Sequence, residues 1–323
     1  MPQSEKSLIE RIRRQAISGA ARRSARFALL TGIGDDAAVL RLAPNQDLLV
    51  TTDFSIENVH FRRDWHPPRV VGWRCLTRGL SDIAAMGGKP RAAFLSLAVA
   101  ADTPQQWIDQ FLNGLLALAK KFNVPLAGGD TAQAVEGIQA DIVVIGSVPK
   151  GTAVLRSTAR PGNQIYVTGS LGASAATLAR LRYSLPLRPG SAQHFHPMPR
   201  VGVGQWLRQH KIPSAMIDIS DGLSTDLEHI CQESNVGAEI EAATIPHAQS
   251  TRRKQNRVNL AFALHGGDDY ELLFTSSKRV PKAIQGVPIT RIGRITRKNG
   301  INLINSDGLS QVLEPKGWEH FRG

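Results

Sequence analysis

Cysteine is nearly absent: Cys75 and Cys231 are the only two, they lie far apart, and neither sits in a CxxC pair. That excludes a disulfide framework and a cysteine-rich metal centre, and it fits buried thiols in a reducing compartment. Long apolar runs are also missing. No stretch approaches the roughly 20 residues that cross a bilayer. The opening MPQSEKSLIERIRRQA has no apolar core of a secretory signal, so a cytoplasmic protein with no membrane partner is expected. There is no repeat of fixed period, which excludes a solenoid, and no zinc-finger, RNP or basic-zipper pattern. The sequence also lacks a GxxxxGK[ST] loop and the HRD and DFG patterns. A nucleotide bound here would not be held as in P-loop proteins or protein kinases.

What is present is globular: 42% hydrophobic and 20% charged residues over 323 positions. That length suits two domains of roughly 150 residues with a cleft between them. Pro149-Lys150-Gly151 is the best punctuation near mid-chain and divides the chain into residues 1–150 and 151–323. The net charge of +12 draws anions, whether nucleic acid, a membrane surface or small molecules. Lys and Arg are scattered, with modest clusters at Arg11–Arg14 and Arg252–Arg257, so nucleic acid is set aside in favour of anionic small molecules.

Periodicity predicts an amphipathic helix over 7–19, then a glycine-rich loop, Gly32-Ile33-Gly34-Asp35-Asp36, leading into strands at 37–40 and 47–53. Pro67-Pro68 opens a helix that stops at Gly87-Gly88. A strand over 93–99 leads to Thr103-Pro104-Gln105-Gln106, which reads as a capping box before a second helix. A strand over 141–148 follows. The second half offers strands at 164–168, 215–220, 238–244 and 270–275, with helices at 173–181 and 223–234, while 191–200 reads as a loop. The fold class is α/β (α+β), in two domains.

Acidic residues recur at the ends of these elements, beside Gly or a hydroxyl: Asp35-Asp36, Thr51-Thr52-Asp53, Ser81-Asp82, Gly129-Asp130, Asp218-Ile219-Ser220-Asp221 and Asp268-Asp269. Any one could be an N-cap or a turn former. Six in a basic chain point elsewhere, because carboxylates gathered together repel unless hard cations neutralise them. The implied ligand is a polyphosphate carrying Mg²⁺. Gly169-Ser170-Leu171-Gly172 either cradles phosphate at a helix start or makes a tight turn, and the turn is favoured.

The stretches GIGDDAAVL, TTDFSIENVHF, LSDIAAMGGKP, GGDTA, RSTARPG, YVTGSLG, IDISDGLSTDL, HGGDDYELLFT and KGWEHF resemble, in that order, the motifs of thiamine-monophosphate kinases. The resemblance runs from Gly32 to Phe321. It implies an aminoimidazole-ribonucleotide synthetase-like fold, with an N-terminal ATP- and magnesium-binding domain that dimerises through its sheet and a C-terminal domain that completes the nucleotide and substrate site. The implied activity is transfer of the ATP γ-phosphoryl group to thiamine monophosphate with several Mg²⁺ ions, by a homodimer. Carried over position by position, the metal ligands are Asp36, Thr51, Thr52, Asp53, Asp82, Asp130, Asp218 and Asp221, and the ATP contacts are Gly129, Asp130, Arg156 and Ser220. Substrate contacts fall on His60, Asp268 and Trp318. Judged without the resemblance, Arg156 would be a surface arginine, His60 a structural histidine and Trp318 a core anchor. Asp268 stands where the family more usually has Glu, and Asn58 where Gly is common. Neither the cysteine of selenophosphate synthetases nor the terminal cysteine of the hydrogenase-maturation dehydratase is present. A non-catalytic nucleotide sensor would have little use for so many aspartates.

Overall fold

The computed structural model describes Arg14 and residues 27–31, 39–188, 190–249 and 258–318. The helix expected over 7–19, the loop at 32–36 and Asp36 itself lie outside the described residues. Two compact units emerge, residues 1–83 with 88–151, and residues 84–87 with 152–323. Among the described residues no helix is long and apolar enough to cross a membrane.

The first unit pairs β1 (Phe27–Thr31) with β2 (Val39–Leu42) and builds a four-stranded sheet, with β3 (Gln46–Ile56), β6 (Ile138–Pro149), β4 (Lys89–Ala100) and β5 (Leu126–Ala134) side by side. Only the β4–β5 pair is parallel. That pair is joined through helix α2 (Gln105–Phe122), as a parallel crossover requires. Alternation sorts the side chains: Leu95, Leu97 and Val99 of β4 and Ile138, Ala140, Ile142 and Val144 of β6 are buried, as are Leu76, Leu80 and Ile83 of helix α1 (Pro68–Ala85) and Ile108, Phe111, Leu112 and Leu115 of α2. The other sheet face carries Leu48, Val50 and Phe54 of β3, which are 46%, 62% and 58% exposed.

The two helices touch backbone to backbone. A β-carbon on Gly72 would lie 1.9 Å from the Phe111 carbonyl oxygen, and one on Gly114 would lie 1.8 Å from that of Arg69. The capping box expected at Thr103 does not form. The residue before the helix is Pro104, which offers no side-chain cap, and Thr103 Oγ1 is buried without a hydrogen-bond partner.

The second unit contains an eight-stranded sheet ordered β14 (Ser310–Val312), β13 (Gly300–Ile304), β9 (Gly237–Glu241), β12 (Val287–Thr296), β7 (Gln164–Thr168), β10 (Glu271–Ser276), β8 (Ala215–Ile219), with β11 (Ala283–Ile284) on β12. Helices α3 (Ala173–Arg182), α4 (Ser191–Phe195), α5 (Val201–Gln209), α6 (Leu223–Ser234) and α7 (Leu260–His265) accompany it. Leu223, Leu227 and Ile230 of α6 join Ile217, Ile219, Ile165, Val167 and Leu273 of the sheet in one core. The stretch expected to be a loop over 191–200 holds the short α4. The strand expected over 238–244 ends at Glu241 and turns through a 3₁₀ helix, Ala242–Thr244.

Gly114→Ala is expected to destabilise the protein by about 1–3 kcal/mol, the usual cost of overpacking, because no side-chain movement relieves a clash with backbone. Denaturant unfolding followed by helix signal checks this, and a wild-type midpoint would show that α1 and α2 are not in backbone contact.

Candidate active site

In the first unit the run Thr51-Thr52-Asp53 is divided by the two-residue period of β3. Thr51 Oγ1 donates to Asp82 Oδ2 on α1, and Asp53 shares a hydrogen bond with the same carboxylate. Thr52 Oγ1 turns the other way and donates to Asp141 Oδ1 on β6, at 2.7 Å. Phe54, Asp141, Ser96 and Asp130 are register partners across β3, β6, β4 and β5, so Asp141 and Asp130 project from one face about 10 Å apart. Gly129, beside Asp130, has φ +150° and lies so near β4 that a β-carbon would sit 1.8 Å from the Leu95 carbonyl oxygen.

Burial, the negative charge of Asp82 and the hydrogen bond to it push the Asp53 carboxyl from 3.8 up to about 7, against the pull of the Arg78 guanidinium. His60 follows β3 on a turn in which its Nδ1 accepts the Ile56 N–H at 3.0 Å. That bond orients the ring and puts its proton on Nε2.

The second unit gathers Asp218, Ser220, Asp221, Asp268 and Trp318, residues up to 100 positions apart in sequence. Asp218 is buried on β8, 3% exposed. The Ser220 carbonyl accepts from Asp268 N at 2.8 Å, and the Asp221 carbonyl accepts from Trp318 N at 3.0 Å. Trp318 is 46% exposed, which removes the core-anchor alternative. Asp268 and Tyr270 both have left-handed backbone, φ +62° and +52°, a conformation that is costly for a tyrosine and recurs at functional sites. The Tyr270 hydroxyl donates to Asp268 Oδ1 at 2.6 Å.

One carboxylate here was legible as a motif member yet acts on the backbone. Asp269 Oδ2 accepts from Gly172 N at 2.8 Å, so the start of α3 is occupied by protein and Gly169–Gly172 is a structural turn. Burial holds the Asp269 carboxyl well above its ordinary range. The carbonyl of Leu155 accepts from Met216 N at 3.1 Å, two residues before Asp218 on β8, so the backbone of Arg156 lies near that strand. Ser234 Oγ, at the last residue of α6, donates to the Arg156 carbonyl at 2.7 Å.

The sequence reading missed Asp141, Asp226 and His229. Asp226 is 1% exposed, and its carboxyl is raised well above the usual range by burial and by Asp218 and Asp221. Ligand atoms of Asp221, Asp226 and His229 all lie within 4.8 Å of one another. The spacing of Asp226 and His229, three apart on a helix that begins at Leu223, is the signal that could have found them.

Folding favours the protonated Asp53, so without divalent metal its contribution to stability is present at low pH and is lost as pH rises from about 4 through about 7. Asp53→Asn is therefore expected to melt above wild type at pH 8 in chelator, the gap closing toward pH 4. Thermal melts across that range check it, and an equal gap at both ends would refute the assignment.

The chain is similar to known proteins over most of its length. Residues 34–148 match the model for the N-terminal domain of AIR synthase related proteins, and residues 160–304 match the model for its C-terminal domain. The thiamine-monophosphate kinase of Salmonella typhimurium is 37% identical over 314 residues, 93% of this chain and 94% of the relative. The crystal structure of thiamine-monophosphate kinase from Stenotrophomonas maltophilia superposes with TM-score 0.80 at 34% identity, covering 95% of this chain and 98% of that one. AaThiL complexed with AMPPCP and TMP superposes with TM-score 0.76 at 30% identity, over 98% and 97% of the two chains. Hydrogenase maturation protein HypE in complex with ATP, at 18% identity and TM-score 0.74, shares the fold. With relatives matched end to end at this identity, the chain belongs to the thiamine-monophosphate kinase family of AIR synthase related proteins.

Proposed function

We propose that the protein phosphorylates thiamine monophosphate to thiamine diphosphate with ATP, by direct in-line transfer and with magnesium as the metal. The observation that carries this reading is the match over nearly the whole chain to AaThiL complexed with AMPPCP and TMP. In this reading residues 1–150 serve nucleotide and magnesium binding and dimerisation, and residues 151–323 complete the nucleotide and substrate sites. The two buried, unbridged cysteines suit a cytoplasmic setting.

The donor chemistry fits Mg²⁺. Thr51, Asp53, Asp82, Asp130, Asp218 and Asp221 offer only oxygen, the hard ligand that Mg²⁺ prefers. A carboxyl pushed up to about 7 beside a second carboxylate is a pair that a divalent cation relieves. These residues, with Thr52 and Asp36, are the proposed ligands of several ions, Thr51, Asp53 and Asp82 on one face of the first sheet and Thr52 and Asp130 on the other. Bound there, magnesium supplies charge neutralisation on the polyphosphate.

The remaining work falls to the chain itself. Gly129, Ser220 and Arg156 are the proposed nucleotide contacts, Arg156 pairing with phosphate oxygens. His60 would donate from Nε2 to the substrate phosphate, Trp318 would lie against the cationic thiazolium, and Asp268 would reach the substrate through water. An acceptor phosphate is already anionic near pH 7, so the transfer needs positioning more than a strong base. The hydroxyl–imidazole pairs of the second unit do not serve as nucleophiles: Ser174 and His194, 2.8 Å apart, are 2% and 1% exposed, and Ser224, paired with His265 at 2.9 Å, is fully buried. Direct transfer predicts net inversion at phosphorus, and net retention would overturn it.

The outward Leu48, Val50 and Phe54 of β3 are the proposed homodimer contact, since an apolar sheet face calls for a cover. Val50→Glu is expected to shift the light-scattering mass from dimer to monomer; a variant that stays dimeric places the contact elsewhere.

Chromatography of pure protein incubated with ATP, Mg²⁺ and thiamine monophosphate is expected to show thiamine diphosphate. Asp130→Asn is expected to lose at least about 100-fold, more than the removal of an outer-layer partner of a metal ligand costs. A folded wild-type protein that binds ATP and makes no product would overturn the function.

A further inference from the structure

At the start of α6 the first free N–H groups need acceptors, and the preceding residue, Gly222, has no side chain to offer one. Asp226 supplies it from within the helix. Its Oδ2 accepts from Gly222 N at 3.0 Å and from Asp221 N at 3.2 Å, while the Asp226 N–H bonds back to the Gly222 carbonyl at 2.9 Å. At 1% exposure the side chain has no solvent to exchange these partners for.

The peptide units so fixed are the ones on which the C-terminal segment rests. The Asp221 carbonyl holds Trp318 N at 3.0 Å, and Thr225 Oγ1, one residue before Asp226, accepts from Gly317 N at 3.1 Å. Contact is close enough that a β-carbon on Gly317 would lie 2.2 Å from the Asp221 carbonyl oxygen. One residue, Asp221, therefore turns its carboxylate to one task and its carbonyl to another, and Asp226 sets the orientation of both.

We propose that Asp226 is a positioning residue that clasps the Asp221 turn, so that the carboxylates of that turn and the Trp318 segment are held in register by one buried side chain. It acts through the backbone of Asp221 and touches neither substrate. The assignment of the turn to the nucleotide and of Trp318 to thiamine monophosphate rests on the proposed function; the clasp itself does not.

The test compares Asp226→Ala, which removes the acceptor, with Asp226→Asn, which keeps an oxygen able to take both N–H groups. Hydrogen exchange on the full-length protein without ligands is the first readout. In Asp226→Ala the Gly317–Trp318 peptide should exchange at least about tenfold faster, with β7 and β12 unchanged, and Asp226→Asn should restore most of the protection. Kinetics are the second: KM should rise for ATP and thiamine monophosphate together, by the about 10–100-fold typical of losing an outer-layer partner, with kcat changed less. Asp226→Asn as damaging as Asp226→Ala would overturn the proposal, since charge or direct ligation would then be at work. Unchanged exchange at 317–318 in a folded Asp226→Ala would also overturn it. Should Asp226→Ala not fold, Thr225→Val removes only the bond to Gly317 N; faster exchange there supports the clasp and wild-type exchange overturns it. If the wild type does not phosphorylate thiamine monophosphate, the exchange data alone decide.

Discussion

Repulsion between carboxylates that the fold holds close together is the constraint around which much of this molecule is arranged. Two unit charges 4 Å apart repel by about 4 kcal/mol at an effective dielectric constant near 20, a large share of the roughly 5–15 kcal/mol that keeps a domain folded. The two units meet that cost differently. In the first, Asp53 and Asp82 share a hydrogen bond, and the Asp53 carboxyl rises to about 7 despite the nearby Arg78, so a proton is the natural occupant when no cation is there. In the second, Asp226 and Asp269 are tied to peptide N–H groups, which lets each stay buried beside other acids while orienting a turn.

Under the proposed function a proton at Asp53 and a divalent cation there are alternatives, and exchange of one for the other would couple metal binding to proton release. The wider charge of the chain works in the same direction. A net +12 attracts anions at long range, and under the proposed function the acidic clusters would confine cations to the places where polyphosphate charge must be balanced. Basic surface and acidic site are complementary parts of one electrostatic arrangement.

Much of this was legible in the sequence because local physics and tertiary structure agree there. Helix α1 lies between the Pro67-Pro68 and Gly87-Gly88 signals, α6 occupies the range its periodicity predicts, and Asp82, Asp218 and Asp221 sit near element ends, whereas Asp53 and Asp130 fall inside strands β3 and β5, which run on past them. The failures have separate causes. Helix α5 was hidden by Gly202 and Gly204, poor helix formers, yet a β-carbon on Gly204 would lie 2.1 Å from the Ala84 carbonyl oxygen, so packing demands what propensity opposes. The Thr103 capping box failed because Pro104 stands in the extended conformation at the helix start. Asp141 escaped notice because it opens an apolar run, where it reads as a strand boundary; only the register with Phe54 and Ser96 shows which face it shares. Asp226 and His229 read as the polar side of an amphipathic helix, since a one-dimensional pattern cannot show that the helix starts at a residue with no side chain to cap it.

The link between Asp221 and Trp318 shows what residue-by-residue transfer from a family leaves out. Motif matching assigns Asp221 by its carboxylate and Trp318 by its ring, yet the two are joined by a carbonyl and an N–H, groups every residue at those positions would carry. A substitution at Asp221 removes the acid and leaves that bond; a substitution at Asp226 leaves the acid and loosens the bond. Ligand chemistry and scaffold chemistry are therefore separable at a single residue, and the side chain that controls the scaffold lies five positions away, buried and outside every carried-over assignment.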